Sequence, residues 1–249
     1  MSRLLQKRHC GMDLPGSPGC RKKPAMKPRL GLPTDVDPIT HVILSAMPQD
    51  PAWVYRFPYR REYPQDHYKY TRMLFEYFLD PAYDDWVVMV IEDALESGRA
   101  TEIVAFGVFN VSFRNKRAHG PGYQAQDRKS HFLCRNWADA SRRRLDAFTH
   151  EQVEAYKRFF EPIGPEQIHL QILATLPAFQ RRGHGSSICK WAMSLARDEN
   201  LKDISVMASP MGHELYNWLG FQRVGEFPIR VPDEEVELTL VAMMYDPGA

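Results

Sequence analysis

The chain has 249 residues, of which 44% are hydrophobic and 25% are charged, and its formal net charge is +1. These proportions are ordinary for a soluble globular protein. No uninterrupted apolar run approaches the length of about 18 residues that a membrane span needs, so we expect no membrane partner. The four cysteines form no CxxC pair, which argues against a disulfide framework and favours a reducing, cytoplasmic location. His131 and Cys134 alone are too few ligands to predict a metal site.

Positive charge is concentrated at the amino end of the chain. Residues 1–29 carry eight Lys and Arg against the single acid Asp13, a net charge of +7, which leaves −6 for residues 30–249. Four prolines, three glycines and little periodicity predict a basic, flexible tail. No apolar stretch follows the first charges, so a secretory signal is not expected. A transit peptide or a nuclear signal stays open, because residues 21–23 form a small basic cluster.

Three elements are predicted in the first third of the chain. Residues 30–34 favour a short strand, and residues 35–46 and 65–79 favour helices because apolar side chains recur at helical spacing. The candidates for burial on the second helix include Tyr68, Met73 and Phe75. Residues 53–61 interleave aromatic and basic side chains, a pattern that can stack on and pair with nucleic acid. We favour packing on the fold or a substrate-facing loop, and we expect no nucleic-acid partner.

The middle of the chain begins with a predicted hairpin. Residues 86–91 and 103–109 are apolar and rich in β-branched side chains, and a polar turn near residues 97–98 separates them. This pattern predicts two antiparallel strands. Residues 114–130 are polar and rich in Gly, Arg and Lys, which predicts a loop, and residues 131–161 have a helical pattern.

The most informative segment is residues 169–189, where an apolar strand, a loop with two glycines and two arginines, and a helix follow one another. The first backbone N–H groups of a helix have no partner inside it, so this order of elements predicts an anion site. Gly183 and Gly185 lack Cβ atoms and would let a phosphate approach the main chain. Arg181 and Arg182 would add positive charge at the rim. The alternative is that the glycines only allow tight packing of helix on strand.

The sequence of this loop distinguishes between known phosphate sites. A P-loop requires a Lys followed by Ser or Thr after its second glycine, which this loop lacks, and a dinucleotide fingerprint requires a third glycine where the chain has Ile188. The run Gln180-Arg181-Arg182-Gly183-His184-Gly185 instead resembles the [QR]xxGx[GA] loop of the GCN5-related N-acetyltransferase (GNAT) family. In that family the loop binds the pyrophosphate of coenzyme A.

A second motif downstream strengthens this resemblance. The strand predicted at residues 203–208 precedes a short helix that ends in Tyr-x-x-x-Gly-Phe, from Tyr216 to Phe221, as it does in the family. We expect Ser209 to cap this helix, Pro210 to occupy its first position and Gly220 to close it in a left-handed conformation.

The resemblance implies a fold and an organisation of the chain. The fold class is α+β, a three-layer GNAT-like fold with a mixed, mostly antiparallel sheet that splays between its fourth and fifth strands, often at a bulge, and is flanked by helices. The sheet would close with strands at residues 222–227 and 237–245. We predict one acyltransferase domain at residues 30–249 with a helical insertion at about residues 114–166. The resemblance is loose over residues 30–113 and close over residues 168–245.

The resemblance also implies acetyl-CoA as co-substrate, with no metal. Its pantetheine arm would pair with the strand at residues 169–176, and the amides of the loop would bind its pyrophosphate. The predicted cofactor-binding residues are Leu173, Ala174, Thr175, Gln180, Arg181, Arg182, Gly183, His184, Gly185, Ser186 and Asn217.

The catalytic assignments follow from the chemistry of amine attack on a thioester. Tyr216 occupies the family's position for the acid that protonates the thiolate leaving group, with a packed aromatic ring as the alternative. Several members of the family use a Glu on the fourth strand as general base, but this chain has His169 and Gln171 there. We assign the base to His169, although a single His is often structural. The alternatives are a water chain or one of His150, Glu154, Asp84 and Asp85.

The favoured function is transfer of an acetyl group from acetyl-CoA to the amine of a small molecule, by a monomer or homodimer. A protein or peptide acceptor, a longer acyl group and O-acylation stay open. Two further alternatives are a protein of this fold that binds acyl-CoA without acetyl transfer, as a sensor or for another reaction such as decarboxylation, and a nucleic-acid-binding module that uses the basic tail.

Overall fold

The computed structural model describes residues 26–94, 100–120, 122–123 and 137–248. Its strands are β1 (Arg29–Leu30), β2 (Trp86–Ala94), β3 (Thr101–Asn110), β4 (Gln167–Thr175), β5 (Asp203–Ala208), β6 (Gln222–Arg230) and β7 (Glu237–Tyr245). Its α-helices are α1 (Val36–Ala46), α2 (Pro51–Arg56), α3 (Pro64–Leu79), α4 (Phe113–His119), α5 (Arg142–Phe159), α6 (His184–Asp198) and α7 (His213–Trp218).

The strands form one seven-stranded sheet in the order β1-β2-β3-β4-β5-β7-β6. Only the β4–β5 pair is parallel, and the other neighbours are antiparallel. The predicted fold class, an α+β mixed sheet flanked by helices, is therefore confirmed. The predicted hairpin is confirmed as β2 and β3, whereas its turn near residues 97–98 lies outside the described residues.

The two central strands separate halfway along their length. β4 pairs with β5 only from Gln167 to Leu170, although β5 continues to pair with β7 as far as Ala208. On the other edge of β4 the register with β3 shifts by one residue between Ile172 and Leu170, so Gln171 is the extra residue of a β-bulge. The predicted splay and bulge are confirmed, and together they leave one edge of β4 without a strand partner beyond Leu170.

Helices cover both faces of the sheet at β3. The ring of Phe106 packs edge-on against Phe75 of α3, with 5.1 Å between ring centroids. A Cβ atom added to Gly107 would lie only 2.6 Å from Cγ2 of Ile188 on α6. Because neighbouring strand residues point to opposite faces, α3 and α6 lie on opposite sides of the sheet. The missing side chain of Gly107 lets α6 approach β3 closely, which fixes the position of the loop in front of α6.

The structure corrects two segments that were predicted to be irregular. Within residues 53–61 the chain is helical as far as the end of α2, which Asp50 caps by accepting hydrogen bonds from the amides of Ala52 and Trp53. Aromatic and basic side chains obscured this short helix, whose Trp53 is buried. Within residues 114–130 the chain forms α4 up to His119, and its buried anchor, Phe113, stands just before the polar run.

Two element boundaries and one burial prediction also differ. The first strand ends at Leu30 and a 3-10 turn follows, because Pro33 begins that turn. The helix predicted from residue 131 begins only at Arg142 in the described part of the chain. Tyr68 is exposed rather than buried, because its hydroxyl reaches Asp37 on the surface.

The described helices include none that is both long and apolar enough to cross a membrane. Most of the predicted tail, residues 1–25, lies outside the described residues, as do residues 124–136 of the predicted insertion. The tail and the division into domains therefore stay predictions.

Candidate active site

A cavity of about 1130 Å³ opens where β4 and β5 separate. Its wall contains residues 170–175 of β4, the start of α6, and Tyr216 of α7. Most of the residues predicted to bind the cofactor line it: Leu173, Ala174, Thr175, Gln180, Arg181, Gly183, His184, Gly185 and Ser186. Arg182 and Asn217 do not, and both are exposed.

The loop before α6 has the backbone of an anion site. Arg181 and Gly183 both adopt left-handed conformations, with φ of 63° and 91°, which turn the chain sharply into the helix. Along the chain from residue 181, the first backbone amide that donates to a protein acceptor is that of Ser187, which donates to the Gly183 carbonyl at 2.9 Å. Among the described residues no group accepts a hydrogen bond from the amides of residues 181–186. A row of unpaired N–H donors therefore stands at the positive end of the helix dipole.

Side chains brace this loop from behind. The Gln180 side chain donates to the Thr175 carbonyl at 3.2 Å, and the Arg182 guanidinium donates to the Ala178 carbonyl at 2.8 Å. The His184 ring is buried, with its Nε2 atom 3.3 Å from Oδ2 of Asp93. Burial lowers the pKa of His184, and the Asp93 charge opposes that shift. The buried His184 side chain therefore supports the loop from inside.

Tyr216 of α7 lines the cavity. Its ring is buried and packs on Phe221, with 5.5 Å between the ring centroids. Burial raises the pKa of Tyr216 well above its usual value of 10. The phenol therefore stays protonated at neutral pH, and the raised pKa makes it a weaker acid than an exposed tyrosine.

The turn before Tyr216 is held by side-chain contacts. The Ser209 hydroxyl donates to Oδ2 of Asp50 at 2.5 Å and accepts from the Gly212 amide at 3.3 Å. The predicted helix start at Pro210 is wrong, because this turn occupies residues 209–212 and α7 begins at His213. Gly220 closes the helix with a φ of 93°, as predicted.

His169 lies away from the cavity. Its Nδ1 atom is 2.9 Å from the Ser205 hydroxyl, which donates its own proton to the Gln167 side chain, so Nδ1 carries the hydrogen of this bond. The rings of Tyr156 and Phe160 pack against the imidazole. The structure does not bring His169 to the cavity wall.

The alternative bases lie outside the cavity wall as well. Asp84 and Asp85 both accept hydrogen bonds from the Asn115 amide at 2.7 Å. His150 and Glu154 are exposed on α5. The choice of general base thus stays a prediction.

Burial lowers the pKa of His169 from 6.5 to about 4, which makes stability sensitive to acid. In the unfolded chain the imidazole titrates near pH 6.5, so between that pH and pH 4 the unfolded state binds more protons. Titration of His169 should leave the free energy of unfolding unchanged above pH 6.5 and lower it by about 3 kcal/mol as the pH drops to 4. Urea unfolding across this range should show a shallower fall for His169→Gln. The exposed control His150→Gln should follow the unaltered protein, and equal pH slopes for both variants would contradict the argument.

The prediction from sequence missed a buried polar cluster at the end of the cavity formed by α2 and the residues before α5. The indole N–H of Trp53 donates to Nε2 of His67 at 3.2 Å, and Nδ1 of His67 lies 2.7 Å from Oδ2 of Asp139. Trp53 and Asp139 line the cavity together with Arg56. Separate elements contribute these residues, and no motif connects them, so the only sequence signal was the aromatic and basic composition of residues 53–61.

Within the described part of the chain, no group of three His, Cys, Asp or Glu side chains is arranged to hold a metal ion. Cys189 is buried on α6, and burial raises its pKa to about 12, so it is not a thiolate at neutral pH. His131 and Cys134 lie outside the described residues.

Comparison with known proteins relates this geometry to a family, although no protein-family model matches the chain. An acetyltransferase of Stachybotrys chartarum is 26% identical over 207 residues, which cover 83% of this chain and 84% of that protein. The structure of a histone acetyltransferase HPA2 and related acetyltransferase from Corynebacterium glutamicum has a TM-score of 0.55 and 22% identity, and the match covers 90% of this chain and 97% of that one.

A third comparison involves coenzyme A directly. A PaiA N-acetyltransferase from Thermoplasma acidophilum, solved in complex with coenzyme A, has a TM-score of 0.50 and 9% identity, over 89% of this chain and 99% of that chain. At such identities the two structures show the fold alone, and the Stachybotrys protein shows what this sequence is similar to. The chain therefore has a GNAT-like α+β fold, and its sequence is similar to that of an acetyltransferase.

Proposed function

We propose that the protein transfers an acetyl group from acetyl-CoA to the amine of a small molecule by direct attack. The observation that carries this proposal is the row of unpaired amides at residues 181–186, which opens on the same cavity as the free edge of β4 and the phenol of Tyr216. These three features supply a diphosphate site, a strand edge for the pantetheine arm and a proton donor.

The donor would lie along the gap between β4 and β5. Leu173, Ala174 and Thr175 pair with β3 on one side, and β5 pairs with β4 only as far as Leu170, so their other edge is open. An extended pantetheine arm can hydrogen-bond to such an edge as an added strand. The pyrophosphate would then meet the loop amides, and Arg181 at the cavity wall would add charge.

In the reaction the neutral amine attacks the thioester carbonyl carbon and forms a tetrahedral intermediate. A backbone N–H of β4 stabilises the oxyanion. The C–S bond then breaks, the thiolate takes the proton of Tyr216, and the nitrogen loses its extra proton to water. The Tyr216 phenolate regains a proton from solvent, which restores the enzyme. Deprotonation through water agrees with the positions of His169 and the other candidate bases outside the cavity wall.

The shape of the other end of the cavity supports a small acceptor. Aromatic side chains of α2, α3, α5 and the residues before α5 surround it: Trp53, Phe57, Tyr70, Trp137 and Phe148. A concave site lined by aromatic rings with a few polar groups is typical of small-molecule binding, whereas a protein segment needs an open groove. The proposed transferred group is acetyl, and the proposed location is the cytoplasm.

The test is release of free coenzyme A thiol from acetyl-CoA in the presence of a library of small amines, with mass detection of the acetylated amine. We expect at least one amine to accelerate thiol release above the rate with acetyl-CoA alone. Acetyl-CoA should also raise the melting temperature, because it binds only the native state. Stabilisation by acetyl-CoA without amine-dependent release for any amine would instead support an acyl-CoA-binding protein that performs no transfer.

A further inference from the structure

At the end of the cavity formed by α2 and the residues before α5, one carboxylate oxygen has no hydrogen-bond partner among the described residues. Asp139 is fully buried and lines the cavity. Its Oδ2 atom contacts Nδ1 of His67, but its Oδ1 atom is buried and has no hydrogen-bond partner among the described residues. An unpaired buried carboxylate oxygen is costly, so such an atom at a cavity wall indicates a missing ligand.

The hydrogen bonds behind Asp139 determine the protonation of its neighbour. An indole nitrogen can only donate, so the bond from Trp53 requires Nε2 of His67 to be an acceptor without a hydrogen. The single hydrogen of the imidazole is then on Nδ1, which donates to Oδ2 of Asp139. His67 is therefore neutral, and it orients the carboxylate without compensating its negative charge.

Arg56 is the one Lys or Arg of the described residues that lines this end of the cavity, and its side chain is engaged elsewhere. Its Nε atom donates to the Ala52 carbonyl at 3.0 Å, and its guanidinium lies over the Phe148 ring at 4.3 Å. No ion pair or hydrogen bond connects it with Asp139. Arg56 is half-buried, and desolvation lowers its pKa to about 10, with the charge of Asp50 opposing the shift.

Aromatic rings make the surroundings of Asp139 apolar. The rings of Tyr70 and Trp137 are parallel within 2°, with centroids 5.1 Å apart, and Phe57 continues the stack at 6.1 Å from Trp137. Such walls exclude water and strengthen any charge interaction inside them. A cation that enters here gains the attraction of a carboxylate in apolar surroundings.

We propose that Asp139 binds a substituted ammonium group of the acceptor, and that this group is distinct from the amine that reacts. A buried anion stabilises the protonated form of an amine that contacts it, whereas attack on the thioester requires the neutral form. The acceptor would thus carry a second, unreactive positive charge. The role of this group as part of an acceptor rests on the proposed function, but the cation site itself can be measured without catalysis.

The experiment compares two ligands of the same shape, choline and 3,3-dimethylbutan-1-ol, which differ in the charge of their central atom. Titration calorimetry on the full chain without acetyl-CoA should show choline binding about tenfold more tightly, a difference of ~1.4 kcal/mol. In Asp139→Asn this preference should disappear. The Asn side chain can still accept the hydrogen bond from His67 with its oxygen, so the cluster should keep its arrangement.

The matched control is Asp146→Asn, which removes the same charge from an exposed carboxylate that pairs with Arg142. It should keep the preference for choline. Equal affinities for the two ligands in the unaltered protein, or no binding of either, would overturn the proposal whether or not Asp139→Asn folds. Persistence of the preference in a folded Asp139→Asn variant would overturn it too. The calorimetry does not measure thiol release, so its result does not depend on whether the proposed function is correct.

Discussion

Replacement of Tyr216 by Phe is expected to lower the turnover number for acetyl transfer about 100-fold or more, as loss of a general acid does. The ring stays in place against Phe221, so the dissociation constant of acetyl-CoA should change by less than about twofold. The reason is that only the hydroxyl proton is lost, and the departing thiolate must then take its proton from water. Steady-state thiol release and equilibrium titration of acetyl-CoA provide the two quantities.

The control for this variant is Tyr156→Phe, which removes the hydroxyl of a half-buried tyrosine that packs on His169 outside the cavity wall. Its turnover number should stay close to that of the unaltered protein. If Tyr216→Phe retained full turnover, the assignment of Tyr216 as the acid would be wrong. A large loss of acetyl-CoA affinity with unchanged turnover would point instead to a packing role for this ring.

Replacement of Gly183 by Ala is expected to weaken coenzyme A binding by about tenfold or more, that is ~1.4 kcal/mol. Gly183 has a φ of 91°, and a Cβ atom placed there would meet no protein atom within 4 Å. That open space lies in front of the unpaired amides, where a phosphate would lie. The added methyl group therefore competes with the ligand and, through the left-handed backbone, also costs about 1 kcal/mol of folding stability.

Gly164 is the matched control for this strain. Its φ is 89°, and a Cβ atom there would again meet nothing within 4 Å, but Gly164 lies in the turn before β4 and is absent from the cavity wall. Gly164→Ala should lose a similar amount of stability and keep its affinity for coenzyme A. Equal losses of affinity in the two variants would show that general destabilisation, not a blocked anion site, weakens binding. Urea unfolding and calorimetry on the same preparations separate the two effects.

Both predictions depend on residues that lie close together in the sequence, which is why the sequence revealed them. The loop at residues 180–185 needs left-handed turns and free amides within six consecutive positions, so neighbouring residues alone specify it. The hairpin of β2 and β3 is equally local, since runs of apolar, β-branched residues specify each strand. The two segments that were predicted wrongly are stabilised by contacts with the rest of the fold and not by their own local pattern. In α2 and α4 one large buried ring supplies the stability of a short helix, and its polar neighbours conceal it.

The sequence by itself determined most of the order of the elements and the glycine loop before α6, because backbone propensities and hydrogen-bonding rules act over a few residues, and its two motifs gave the fold class through their resemblance to a family. The tertiary structure decided which side chains share the cavity. It placed His169 between aromatic rings outside the cavity wall and brought His67 and Asp139, which are separated by 72 positions, within 2.7 Å of each other. Contacts of this kind depend on how helices and strands pack, and packing is selected by the burial of the whole core rather than by any short stretch of the chain.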